Sequence, residues 1–250
     1  MSLKFTGKDV LCSMVDTTTR KEEERIYIDL PKSEEDVKVL KVASGCQYQL
    51  EPSTVNERDI IFVSGPPRCG KTMFAMNFAK QYCKKYPERG CWLFTPNIED
   101  ETIMTHRPPG AKIVDCREMD MQEDLNKECF NNSLLFFDDT DYYEDVEISK
   151  SIEKFALSCV GIGRHKKQTI IISKHILLNY QKTRTLLQLS THVVTFPNIG
   201  SSYMTEKFVK TYFPKAGGIL KELDDKFSRF VVFRTFAPLA LFTENWIVAL

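Results

Sequence analysis

The sequence has no CxxC pair, no Gly/Ser-rich linker, no low-complexity tract, no internal repeat and no excess of charge of either sign. Thirty-four Lys+Arg balance thirty-four Asp+Glu, which excludes a globally basic nucleic-acid coat, a histone-like protein or a polybasic membrane binder, so any nucleic acid must be met by a local patch. Eight cysteines, at 12, 46, 69, 83, 91, 116, 129 and 159, are scattered. The opening MSLKFTGKDV lacks the charged-then-apolar layout of a signal peptide, so the cysteines read as free thiols in a reducing compartment. No apolar run approaches the roughly 18 residues that cross a bilayer. The expectation is therefore a soluble, intracellular protein without membrane insertion. What the chain does have is 250 residues that are 42% hydrophobic, enough for one large domain or two small ones with a packed core, which excludes disorder as the dominant state.

Hydrophobic periodicity divides the chain. Residues 1–55 hold a charged stretch, Thr17-Thr18-Thr19-Arg20-Lys21-Glu22-Glu23-Glu24-Arg25, between strand-like pieces such as 25–30, and read as an N-terminal arm or lead-in β element. Residues 56–250 read as the main domain. Short apolar runs at 60–64, 91–95, 112–114, 134–137, 169–173 and 192–196 alternate with helix-compatible segments at 71–85, 147–162 and 181–190. That alternation predicts an α/β fold whose mainly parallel central sheet is covered by helices on both faces. A helix over 203–212, a loop at Gly217-Gly218 and strands at 230–236 and 239–242 follow; these strands either extend the sheet or form a small appendage.

The first apolar run enters Gly65-Pro66-Pro67-Arg68-Cys69-Gly70-Lys71-Thr72, which fits G-x-x-x-x-G-K-[ST] with a strand before it and a helix after it. A triphosphate needs backbone N–H groups aimed at the anion. Gly65 and Gly70 permit the tight turn and close approach, and the helix N-terminus adds partial positive charge. Lys71 is placed to reach the β- and γ-phosphates, and the Thr72 hydroxyl to ligate Mg²⁺. Pro66, Pro67, Arg68 and Cys69 fill the variable positions of the loop.

Leu134-Leu135-Phe136-Phe137-Asp138-Asp139 is a buried-type strand ending in two carboxylates, which are costly at a core strand terminus unless they face a cation or a site. They read as a Walker B element, with Asp138 holding Mg²⁺, directly or through water, and Asp139 polarising the attacking water. The alternative is the start of a solvated turn, since Thr140, Asp141, Glu144 and Asp145 are also polar.

Beyond these motifs come Gly163-Arg164-His165, a strand Thr169-Ile170-Ile171-Ile172-Ser173-Lys174, a segment with Lys182-Thr183-Arg184 and a further strand at 192–196. Over roughly residues 59 to 198 this order resembles the FtsK/HerA superfamily, and within it the genome-packaging ATPases of poxviruses, related large DNA viruses, virophages and adenovirus-like elements. The resemblance implies a P-loop NTPase fold of the RecA-like (ASCE) kind, with ATP and Mg²⁺ as cofactors. It further implies a homo-oligomeric ring that moves double-stranded DNA, capsid or portal-vertex proteins as partners, and a location in the cytoplasm or nucleus of an infected cell or with the virion. Carried over by position, Arg164 is the arginine finger for a neighbouring subunit's nucleotide, and Ser173 is the sensor at the strand end. Lys174 stands where the family has Gln.

Read from the residues alone, Arg164 could also pair with a surface carboxylate, Ser173 could be an ordinary polar strand end, and Arg184 is either a second trans contact or part of a solvated helix face. Arg164, His165, Lys166 and Lys167 form a basic cluster that either meets DNA phosphates or is a solvated loop. Tyr142-Tyr143 reads as a packing anchor more readily than a base-stacking site. Two other functions compete with the translocase: a monomeric P-loop nucleotide or nucleoside kinase, whose usual Arg-rich lid has no comparably dense counterpart here, and an assembly- or secretion-type nucleotide-binding protein.

Overall fold

The structure is a computed structural model that describes residues 2–4, 10–29, 38–53, 58–115, 117, 128–179, 183–199, 202–216 and 228–250. Gly217-Gly218, Lys182 and Cys116 lie outside these residues. The apolar runs become β6 (Ile60–Ser64), β7 (Gly90–Phe94), β8 (Lys112–Val114), β9 (Ser133–Asp138), β10 (Thr169–Lys174) and β11 (His192–Thr195). They are mutually parallel, in the spatial order β11-β6-β10-β9-β7-β8. Strand β10 therefore lies between β6 and β9, with Ser173 opposite Val63 on one side and Asp138 on the other.

Helices α1 (Lys71–Lys85), α2 (Glu101–His106), α3 (Val146–Ile162), α4 (Arg184–Leu189) and α5 (Ser202–Tyr212) cover the two faces. The strands are apolar at nearly every position because alternate side chains enter different cores. Ile61, Val63, Phe136 and Ile171 pack with Phe74, Phe78 and Tyr82 of α1, whereas Phe62, Phe137, Ile170 and Ile172 pack with Ile152 and Ala156 of α3, Leu187 of α4 and Phe208 of α5.

The C-terminal strands extend the sheet. β12 (Val231–Arg234), β13 (Ala240–Phe242) and β14 (Trp246–Ala249) add antiparallel beyond β11. The segment read as an arm contributes to two sheets. β1 (Ser2–Lys4), β2 (Val10–Asp16), β3 (Glu22–Asp29) and β5 (Cys46–Gln49) form an antiparallel sheet in the order β1-β3-β2-β5, while β4 (Lys38–Lys41) joins the free edge of β14. Leu11, Ile26, Ile28, Tyr48 and Leu50 of the small sheet and its exit share the core of α1. This covering sheet lets α1 bury Phe74, Ala75, Met76, Phe78, Ala79 and Tyr82, a far wider stripe than a surface helix buries. The charged run at 20–25 lies on the turn and the exposed start of β3, where Arg25 meets Glu22 and the buried Glu51. None of the seven described cysteines forms a disulfide.

Phe137, fully buried and stacked on Phe94 at 4.7 Å between ring centroids, precedes the first acidic residue of β9. Phe137→Ala should cost about 3–5 kcal/mol through lost contacts and an unfilled cavity. The check is urea unfolding, in which the midpoint should fall while the m value is unchanged.

Candidate active site

Ser64, Asp138, Ser173 and Thr195 stand at the C-terminal ends of the parallel strands, the end from which the 65–72 loop leaves β6. Gly65 cannot carry a side chain: a Cβ there would lie 2.7 Å from Cys69 Sγ and 2.9 Å from Phe196 Cδ2. Cys69 is thus more than a neutral filler, since its buried thiol packs under the turn. Gly70 has φ +106°, which favours glycine, and immediately precedes α1. Arg68 also takes a positive φ, 64°, on the exposed crown of the loop.

Lys71, the first residue of α1, is 5% exposed, and its Nζ donates to Gly65 O at 3.1 Å and Pro66 O at 3.3 Å and meets His175 Nδ1 at 2.9 Å. Asp139 Oδ2 lies 3.6 Å from the same nitrogen. The ammonium therefore sits against the loop's own carbonyls, within a short side-chain rotation of a phosphate bound in the loop. Thr72 Oγ1 donates to Asp138 at 3.2 Å and 3.4 Å from its two oxygens.

Ser173 links the two acids. Its hydroxyl donates to Asp138 Oδ1 at 2.6 Å and accepts from the Asp139 backbone N–H at 3.0 Å. Asp139 turns out of the strand with φ 46°, a left-handed conformation that Asp tolerates. That turn aims Asp138 at Thr72 and Asp139 at Lys71 and His175. Desolvation in the buried strand end pushes the Asp138 carboxyl up to about 6, against the opposing hydrogen bond from Ser173. A cation beside it would reverse that preference. The Thr72 hydroxyl and Asp138 are the protein groups placed to hold one, and no cluster of three or more His, Cys, Asp or Glu exists among the described residues. Their hard oxygens suit Mg²⁺ completed by phosphate oxygens and water, and do not suit a protein-caged transition metal.

His175 was not singled out from the sequence. It follows Ser173 by two residues, so strand periodicity carries both toward the site while Lys174 points to the other face. Its Nε2 is 3.5 Å from Asp139 Oδ2, and the exposed Tyr142 stands edge-on at 4.9 Å between ring centroids. Lys174 is buried against Glu153 of α3 and pairs with it. Lys174 therefore lies outside the site, and the imidazole one position further is inside it. Tyr143 packs into the core, as an anchor should.

The structure does not bring Arg164 to this group. Arg164 is exposed in the turn between α3 and β10, at the N-terminal edge of the sheet. The length of β10 separates it from Ser173, roughly 17 Å at 3.3 Å per residue. Arg58 caps that end of α3 by donating to the carbonyls of Cys159 and Val160 at 2.8 Å and Gln168 at 3.0 Å. Arg184 opens α4 and is exposed.

The phosphate loop, the six-strand parallel order and the strand inserted between β6 and β9 define a P-loop NTPase fold of the RecA-like kind. No family model matches the chain. It is 26% identical over 196 residues, 75% of this chain and 76% of the other, to an uncharacterised protein, V3, of Sputnik virophage. It superposes on the conjugation coupling protein TcpA of pCW3, solved as a monomer with ATPγS, with a TM-score of 0.53 and 10% identity over 95% of this chain and 77% of that one. The genome packaging NTPase B204 of Sulfolobus turreted icosahedral virus 2 gives a TM-score of 0.48 and 14% identity over 76% of this chain and 97% of that one.

A carboxyl whose pKa rises on folding, from 3.8 to about 6 for Asp138, costs stability as it ionises: the loss is absent below the unfolded value and complete above the folded one. The protein without metal or nucleotide should therefore lose on the order of 3 kcal/mol from this group as pH rises from about 4 to about 6. Asp138→Asn should flatten that part of the stability curve and raise the melting temperature at neutral pH relative to the parent. Parallel thermal melts across this pH range check it.

Proposed function

We propose that the chain is the ATPase subunit of an FtsK/HerA-type genome-packaging motor that hydrolyses ATP with Mg²⁺ and moves double-stranded DNA into a capsid as a homo-oligomeric ring. The observation that carries this reading is the convergence of Lys71, Thr72, Asp138, Asp139 and Ser173 at the end of three adjacent elements. The Asp-Asp strand end and the Gly163-Arg164-His165 group support the packaging assignment, and the likeness to a virophage protein supports a viral setting. On the same reading the protein works in the infected cell or with the virion and meets capsid or portal-vertex proteins.

Each residue has a task in this scheme. The backbone N–H groups of Arg68, Gly70 and the first turn of α1 face the phosphates, Pro66 and Pro67 having none to offer, and Lys71 exchanges the carbonyls of Gly65 and Pro66 for phosphate oxygens. Thr72 and Asp138 hold Mg²⁺, which when bound offsets phosphate charge. Ser173 fixes Asp138 by donating to it and fixes Asp139 by accepting its backbone N–H. Asp139, on its left-handed turn, orients and activates the attacking water. Arg164 of a neighbouring copy offsets the charge that develops on the γ-phosphoryl oxygens; its place across the sheet from its own carboxylates favours a role in trans.

Lys71→Ala should abolish turnover and keep the fold, and Asp139→Asn should bind Mg²⁺ and ATP without hydrolysing it, as read by nucleotide binding and phosphate release. Arg164→Ala should bind ATP like the parent and lose on the order of 10³-fold in turnover. An equal mixture of Arg164→Ala and Lys71→Ala should recover measurable hydrolysis, because an intact nucleotide site then meets an intact arginine. No recovery despite demonstrated subunit exchange would remove Arg164 from this role and turn attention to Arg184. Hydrolysis that requires a phosphoryl acceptor and ignores DNA would favour the kinase.

A further inference from the structure

His175 stands between the lysine and the second carboxylate of the site. Its Nδ1 meets Lys71 Nζ at 2.9 Å, and its Nε2 lies 3.5 Å from Asp139 Oδ2. An ammonium can only donate, so Nδ1 accepts, and the ring's own proton sits on Nε2, the nitrogen turned to the carboxylate. Lys71 thus sets the tautomer, and the tautomer gives Asp139 a donor. Ser173 Oγ is also near, 3.3 Å from Asp139 Oδ1, but its one proton is already given to Asp138. The donors that face the Asp139 carboxylate are then Lys71 Nζ, 3.6 Å from Oδ2, and His175 Nε2 beside it. The ring is held in this position by the turn it faces. That turn starts at Asp139, closes with the Tyr142 N–H donating to Asp139 O at 3.1 Å, and sets the Tyr142 ring edge-on against the imidazole.

We propose that His175 is a positioning residue that keeps Asp139 in place when Lys71 turns to the nucleotide. The inference rests on the ATPase reading and deepens it by naming the group that orients the water-activating acid during turnover. In the empty site the ammonium is divided among the carbonyls of Gly65 and Pro66, His175 and Asp139. A bound triphosphate draws it to phosphate oxygens, so Asp139 Oδ2 loses its cation at the stage when the carboxylate has to address water. The Nε2–H stays where it was, because the ring is seated on Tyr142 and not on Lys71 alone. A base oriented by a third group is the usual requirement for such a step. In the empty site the same ring, through Nδ1, competes with phosphate for Lys71, so the two nitrogens have separable effects: one on nucleotide binding, the other on turnover.

The test uses the full chain and three variants, read by ATP hydrolysis at saturating ATP with DNA present, by equilibrium binding of a nonhydrolysable ATP analogue, and by thermal melts. His175→Ala removes both nitrogens, His175→Gln places an amide N–H near the position of Nε2, and His175→Asn places its amide near Nδ1. His175→Ala should lose roughly 10- to 100-fold in kcat and bind the analogue at least as tightly as the parent, because Lys71 no longer has an imidazole to leave. His175→Gln should recover most of the lost kcat. His175→Asn, which serves Lys71 and not Asp139, should stay near the Ala variant in turnover. All three should melt like the parent. A His175→Ala chain that turns over like the parent would overturn the inference and leave the ATPase reading standing, as would Gln and Asn variants of equal activity. Loss of binding and of melting temperature together in all three would make His175 a structural residue and overturn its positioning role. A parent that binds the analogue and never hydrolyses ATP, with or without DNA, would overturn the ATPase reading and this inference with it.

Discussion

A single hydroxyl, that of Ser173, joins the two carboxylates on which the site is built. It can do so only because β10 lies between the phosphate-loop strand and the acidic strand, placing Ser173 beside Asp138 in register. The sheet is buried on both faces, so its strands carry polar side chains at their two ends, and the parallel direction puts all the C-terminal ends on one edge. Loop, acids, serine and histidine meet there for the same reason that the middle of each strand is Ile, Val, Leu and Phe.

The arrangement is expensive without a cation. Asp138 is desolvated, and its neighbours Ser173 and Thr72 offset only part of that, so its proton is held more tightly than usual. Lys71 is close, yet its ammonium is engaged with loop carbonyls and His175 more directly than with either acid. Strain of this kind is expected where folding and chemistry want different charge states. A group that destabilises the protein alone is well placed to bind metal and phosphate, because the bound ion recovers the desolvation already incurred.

The polarity of α3 follows from the same sheet. A helix that returns the chain from the C-terminal to the N-terminal edge must separate its flanking loops by the sheet's depth. The acidic 144–147 segment stays beside the nucleotide and the basic 164–167 turn is carried away from it. Arg58 and Gly163 fix the far turn: a Cβ at Gly163 would come within 2.3 Å of the Cys159 carbonyl, and the Arg58 guanidinium holds the last carbonyls of the helix. The geometry therefore separates the arginine from its own nucleotide site by construction.

The sequence by itself determined the class of fold and the core of the site. Strand β6 and helix α1 were readable to the residue, because a continuous apolar run, a glycine-bounded loop and a helical segment are local patterns. Asp138 and Asp139 could be singled out because two acids ending an apolar strand are costly unless they face a cation, a site or solvent. Three matters only the tertiary structure decided. The C-terminal strands extend the main sheet and the N-terminal residues split between two sheets, since edge pairing depends on which backbone groups remain unpaired after the core forms. His175 enters the site while Lys174 leaves it for Glu153, a choice made by which face of β10 meets α3. Arg164 lies on the far edge, a separation invisible in a chain where it follows Asp139 by 25 positions. Periodicity and composition are properties of neighbours along the chain; adjacency across a sheet and distance through it are set by packing, and these decided which of the candidate residues meet.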